Sequence, residues 1–102
     1  MHTEYLFQNV NLDSISFINN KNDIKFVFIS SYNGNYYGCL SCINLISFKM
    51  NTDMDEDKYF PKFVLDVTCE KQIKENFSNY YVKFEGGEYY IEIICETIKI
   101  EK

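Results

Sequence analysis

Two short motifs hold the residue types from which chemistry could be built. The first is Cys39-Leu40-Ser41-Cys42, the CxxC spacing shared by zinc sites and thiol redox pairs. A structural zinc ion takes four ligands, usually from two such pairs. Here Cys69 and Cys95 stand alone, and the sole histidine is His2, at the chain end. A redox CxxC pair sits at a helix N-terminus, which lowers the thiol pKa. The surrounding pattern instead predicts a strand, with the two cysteines on opposite faces. The four cysteines are therefore expected to be free, metal-free and packed as small hydrophobes. The second motif is Asp53-Met54-Asp55-Glu56-Asp57, which has the alternating acids that open a calcium loop. Its sixth position is Lys58 where such a loop needs Gly, and its twelfth is Val64 where it needs Glu. Those departures leave a solvated acidic loop or an acidic protein-docking loop.

The inventory for catalysis is thin. The chain contains no G-x-S-x-G, P-loop or H-E-x-x-H motif. Paired carboxylates are plentiful, but glycoside chemistry also needs a cleft large enough for sugar, which 102 residues rarely supply. The expectation is a non-enzyme without a cofactor. The adjacent tyrosines Tyr36-Tyr37, Tyr80-Tyr81 and Tyr89-Tyr90 could stack bases in a single-strand binder. The charge opposes that: the chain has net charge −5 and no arginine, hence no guanidinium fork for phosphate.

The charge is also unevenly placed. Residues 1–50 hold three acids and three lysines, whereas residues 51–102 hold twelve acids and seven lysines. The whole net charge lies in the second half, which suits a basic protein partner. Within that half Glu88, Glu92 and Glu96 recur at four-residue spacing, about 13 Å apart along a strand. Tyr90 and Ile94 lie between them. An aromatic and apolar stripe fringed by acids has the make-up of a protein-binding surface. The candidate partner-binding residues are Asp53, Asp55, Glu56 and Asp57 in the loop, with Glu88, Tyr90 and Glu92 on the stripe. The competing reading packs Tyr90 and Ile94 beneath a loop or short helix.

The elements that must position these residues are mostly strands. Alanine, the best helix former, is absent, and aromatic residues make up 18% of the chain. Alternation at Ile24, Phe26 and Phe28 leads into Asn33-Gly34, read as a two-residue hairpin turn. That turn sets Phe28 opposite Cys39, Phe26 opposite Ser41 and Ile24 opposite Ile43. A second hairpin turns at Gly86-Gly87, with positive φ expected at both, and sets Phe84 against Tyr89, Val82 against Ile91 and Tyr80 against Ile93. Two long strands change inward face partway. Cys39, Ser41 and Ile43 hand over to Ile46, Phe48 and Met50 around Asn44, and Tyr89 to Cys95 hand over to Ile98 and Ile100. Such a parity slip marks a bulge or sharp bend. Phe63, Leu65, Val67 and Cys69 form a further strand, residues Asn51–Lys62 form a long polar loop, and Glu70–Phe77 is the one plausible helix, with Ile73 and Phe77 at i, i+4.

The predicted fold is mostly β: a single domain over residues 1–102, an antiparallel sandwich or small barrel of six to eight bent strands, with at most one short helix. The alternative is α+β, with Glu70–Phe77 packed on a sheet. Met1 to Val10 lacks the basic cluster and apolar run of a signal peptide, so a cytoplasmic location is expected. In size, charge and strand-turn-strand layout, chiefly Phe84-Glu85-Gly86-Gly87-Glu88-Tyr89, the chain resembles the small acidic immunity proteins encoded beside bacterial toxins, and small β-rich families of AT-rich bacteria. The immunity resemblance implies a stoichiometric inhibitor that plugs a basic toxin surface. Two alternatives stand beside it: a barrel holding a small apolar ligand, and a structural domain that self-associates through a strand edge.

Overall fold

The computed structural model describes residues 3–52, 62–74, 77–86 and 89–102. Among these, six strands run in antiparallel pairs: β1 (Thr3–Ile18), β2 (Asp23–Ser30), β3 (Tyr36–Thr52), β4 (Lys62–Lys74), β5 (Phe77–Glu85) and β6 (Tyr89–Glu101). They close into a barrel in the order β1-β2-β3-β6-β5-β4. No helix among the described residues is long and apolar enough to cross a membrane.

Closure follows from the inward residues. Phe7, Phe26, Phe28 and Phe84 are fully buried, and their rings meet inside the barrel. The centroids of Phe7 and Phe28 lie 4.4 Å apart, those of Phe26 and Phe84 4.7 Å, and those of Phe28 and Phe84 5.8 Å. Around them pack Val10, Leu12, Ile24, Leu40, Val64, Val67, Val82, Ile91 and Ile93. Burial of each large side chain stabilises the fold by about 1.5–3 kcal/mol. A barrel of few strands has an interior just wide enough for such side chains, and these contacting rings fill the part of it described above.

Face changes occur in both long strands and come in two matched places, but in β3 Leu45 and Phe48 turn inward while Ile46 and Met50, expected there, are exposed. In β3 and β6 the inward pairs are Leu40 with Ile100 and Cys42 with Ile98; beyond Asn44 the inward pair is Leu45 with Cys95. Asn44 takes φ 58°, a conformation asparagine tolerates better than most residues. The same device recurs in β1 and β4, where Asn9 takes φ 54° between buried Phe7 and buried Val10, opposite the step from Val64 to Val67. These bends let long strands curl around a narrow core. The bend at Asn9 had no counterpart in the sequence reading, nor did the start of β1 at Thr3.

Three expectations need correction. The first hairpin is shifted by one residue: Phe28 pairs with Gly38, Phe26 with Leu40 and Ile24 with Cys42. The reason is a longer turn. Ser30 N–H donates to Asn35 C=O at 2.8 Å, Gly34 N–H donates to Ser30 C=O at 3.0 Å, and only Gly34 of the Asn33-Gly34 pair has positive φ. A one-residue shift reverses the strand's faces, so Leu40 and Cys42 enter the core in place of Ser41 and Ile43. The second hairpin is shifted by two residues, pairing Phe84 with Ile91, Val82 with Ile93 and Tyr80 with Cys95. A shift of two preserves every face, so the predicted apolar stripe survives. Gly86 has φ 76° as expected, and a Cβ there would lie 2.8 Å from Leu65 Cβ; Gly87 lies outside the described residues. Finally, Glu70–Lys74 is not helical but continues β4, pairing with β5 from Glu70–Tyr81 to Lys74–Phe77. The α+β alternative therefore fails. Ile73, placed on a helix face by the sequence, is 72% exposed at the hairpin end.

One buried polar group ties the β1–β2 turn to the bend in β3. Asp23 is 6% exposed. Its carboxylate accepts the Asn44 backbone N–H at 2.9 Å and the Asn19 side-chain amide. Leu45 N–H donates to Asn22 C=O at 2.8 Å beside it. These bonds, the Asn44 amide first, hold the Asp23 carboxyl below its usual range, with Lys99 assisting.

Candidate functional site

Outward residues of β4, β5 and β6 alternate with the core residues just described, so period two alone brings them to one surface. On β4 these are Asp66, Thr68 and Glu70; on β5, Tyr81, Lys83 and Glu85; on β6, Tyr90, Glu92 and Ile94. Register sets Glu70 beside Tyr81, Thr68 beside Lys83, Lys83 beside Glu92 and Tyr81 beside Ile94. On the far side of β4, Thr3 and Tyr5 of β1 extend the surface. Between β1, β4 and β5 it dips into a depression of about 280 Å³, walled by Tyr5, Tyr81, Lys83 and the carboxylates of Asp66, Glu70 and Glu85.

Several of these side chains are fixed by their neighbours. Thr3 Oγ1 donates to Glu70 Oε1 at 2.7 Å, and Gln8 Nε2 donates to Asp66 Oδ1 at 3.1 Å. Lys83 Nζ lies 3.4 Å from Glu85 Oε1. Such an exposed pair adds little stability, but it orients the Glu85 carboxylate. Glu92 is the hub. It accepts the Tyr90 hydroxyl. That bond first, and then the nearby Tyr81 phenol, holds the Glu92 carboxyl below its usual range, with Lys49 and Lys83 reinforcing them. Tyr81 is pushed up to about 12 by desolvation and then by that carboxylate, and Tyr90 is raised by its bond to Glu92. Both phenols thus stay neutral donors across the ordinary pH range. The result is a pre-set surface of tyrosine rings and carboxylates, able to accept cationic groups from a partner by ion pairing and by cation–π contact.

Of the residues singled out from the sequence, Tyr90 and Glu92 lie on this surface and bond to each other. Asp53, Asp55, Glu56, Asp57 and Glu88 lie outside the described residues. Glu96 is exposed, and its carboxylate accepts the Asn44 side-chain amide at 3.1 Å, at the bend rather than on the tyrosine surface. Ile94 is half-buried among the outward residues of β6. The sequence reading missed Tyr5, Asp66, Glu70, Tyr81 and Glu85. Their signal was the alternation of Asp66-Thr68-Glu70 and Tyr81-Lys83-Glu85 with apolar neighbours.

The four cysteines are free, buried residues. Cys42 faces the core, while the Cys39 thiol donates to Glu101 Oε2 at 3.6 Å. The adjacent Cys95 sulfur and burial hold the Cys42 thiol far above its usual range, and burial pushes Cys69 up to about 11. Cys42 and Cys69 are thereby kept protonated, which makes them poor nucleophiles and poor metal ligands, whereas the Cys95 thiol is lowered, first by its bond with Cys42. Among the described residues no three His, Cys, Asp or Glu side chains converge as a metal site.

Comparison with known proteins agrees with the fold. The crystal structure of an uncharacterized protein from Neisseria gonorrhoeae matches with a TM-score of 0.82 and 29% identity, over 100% of this chain and 99% of that one. No curated protein matches the chain. A family model described as "-like:-like" matches residues 5–102. With nearly its whole length covered, the chain belongs to that "-like:-like" family.

Proposed function

We propose that this protein is a non-catalytic binding module that docks a basic protein through the outer face of β4, β5 and β6. The observation that carries the reading is the Glu92 carboxylate, which orients the Tyr90 ring next to a depression walled by Tyr5 and Tyr81 and edged by three more carboxylates. Tyrosine is a favoured hot-spot residue because it brings large area at low entropic cost. Fixing a ring before binding removes part of the ordering cost. The surrounding acids, in a chain of net charge −5, steer a cationic partner and suppress anionic ones. A bacterial immunity protein that neutralises a basic toxin is the specific form of this function that the sequence character favours. Four free thiols fit a reducing, cytoplasmic setting for it.

The test uses a partner isolated from the native host or encoded by the neighbouring gene. Tyr90→Ala should weaken its binding by about 2 kcal/mol. Replacing Asp66, Glu70 and Glu85 by amides should slow association and flatten its salt dependence. Unchanged affinity in both variants would place the binding face elsewhere.

A further inference from the structure

Strand β6 outruns its neighbour. The β5–β6 ladder ends at Tyr80–Cys95, while β6 continues along β3 as far as Glu101. Among the described residues, no strand pairs with Glu96–Glu101 on the β5 side. Near where the ladder ends, a cleft is lined by Ile46 of β3, Ser78 and Asn79 of β5, and Glu96 and Thr97 of β6. The side chains reflect the missing neighbour: Leu40 is fully buried, yet its partner Ile100 is 40% exposed. Barrel closure removes edges only where strands overlap, and an unpaired edge is a template for another strand.

We infer that Ile98–Lys102, at the end of this edge, pairs with the same segment of a second copy, joining two barrels through an antiparallel, two-fold edge. The occupant follows from the order Glu96-Thr97-Ile98-Lys99-Ile100-Glu101-Lys102. Thr97, Lys99 and Glu101 share the outward face with Ser41 and Cys39, and Ile98 and Ile100 share the inward face with Cys42 and Leu40. In a continuous sheet outward residues must meet outward residues, so only registers centred on a residue are allowed. Centred on Ile100, the pairing sets Ile100 against Ile100 and each Lys99 against the Glu101 of the second copy. Centring on Lys99 or on Glu101 opposes like charges, and centring on Ile98 forms no ion pair. The whole edge Glu96–Lys102 carries two acids and two lysines, so it is locally neutral in a chain of net charge −5. Among the described residues Glu101 accepts a long thiol contact from Cys39, and Lys99 lies within the field of Asp23. Both charges remain exposed and able to pair across the edge.

Sedimentation velocity on the full chain, from micromolar to millimolar concentration, tests this. The wild type should shift from monomer to dimer. Lys99→Glu and Glu101→Lys, each alone, should weaken the dimer about tenfold by opposing like charges across two pairs. The double variant Lys99→Glu/Glu101→Lys should restore it. An equimolar mixture of the two single variants should also dimerise, which shows that each still folds. A monomer throughout the range would overturn the proposal. So would self-association indifferent to these swaps, because another surface would then be responsible.

Discussion

From Ile91 to Cys95, β6 pairs on both flanks, with β3 and with β5; from Glu96 to Glu101, among the described residues, it pairs with β3 alone. In the first stretch the inward residues Ile91, Ile93 and Cys95 are fully buried, and the outward Glu92 lies between Lys49 and Lys83 and accepts the Tyr90 hydroxyl. In the second, Ile100 is partly open to solvent and the outward Lys99 and Glu101 are exposed. One strand thus supplies two kinds of surface. A second flanking strand supplies the neighbours that fix an outward side chain in advance, and it closes the backbone edge. Without that strand, the side chains are freer and the backbone can still pair. The first stretch suits recognition by pre-set side chains, and the second suits recognition by backbone.

The contrast is most easily broken by stability measurements. Phe84 packs on Phe26 and Phe28 beneath the doubly paired stretch. Phe84→Ala should cost about 3–5 kcal/mol in denaturant unfolding. Ile100→Ala, in dilute solution where the chain is monomeric, should cost about 1 kcal/mol or less, since the side chain is already partly solvated. Similar losses at the two positions would show that the outer stretch is covered as well as the inner one, and the distinction would fall.

A smaller effect sharpens the comparison through acid. Glu92 lies in the inner stretch, and Asp23 holds the Asn44 bend that marks the border between the two. Both carboxyls are lowered in the fold: Asp23 first by the Asn44 amide, Glu92 first by the Tyr90 hydroxyl. A lowered folded pKa gives stability that is fully present above the unfolded carboxyl range, about pH 4, and is lost as pH falls through the folded values. The melting temperature should therefore be level from pH 7 to about pH 5 and fall below about pH 4. Asp23→Asn and Glu92→Gln should each lower the neutral-pH plateau and make the acid fall shallower. An acid limb of unchanged slope in both variants would mean that other carboxyls dominate it.

Much of the fold could be read from the sequence because it depends on alternation. Phe84, Val82 and Tyr80 had to share a face, and the parity change near Asn44 had to bend the strand. What escaped depends on turn length and on long-range pairing. Asn33-Gly34 looks like a two-residue turn, but hydrogen bonds from Ser30 to Asn35 make it longer and flip β3 by one residue. Ile73 and Phe77 have helical spacing, yet Glu70 is held between Thr3 of β1 and Tyr81 of β5, and tertiary pairing overrides local preference. The candidate site divides the same way. Tyr90 and Glu92 are two apart and were visible together, whereas Tyr5, Asp66 and Tyr81 meet only because β1, β4 and β5 are neighbours in the closed barrel.

The most direct test of the docking face is a footprint. Backbone amide shifts of the isotope-labelled chain, recorded while the purified basic partner is added, should move on Asp66–Glu70, Tyr81–Glu85 and Tyr90–Ile94. The amides of Thr97–Glu101 should stay in place. Shifts concentrated on Thr97–Glu101 or on the β2–β3 turn, with Tyr81, Tyr90 and Glu92 unmoved, would contradict the assignment of this face.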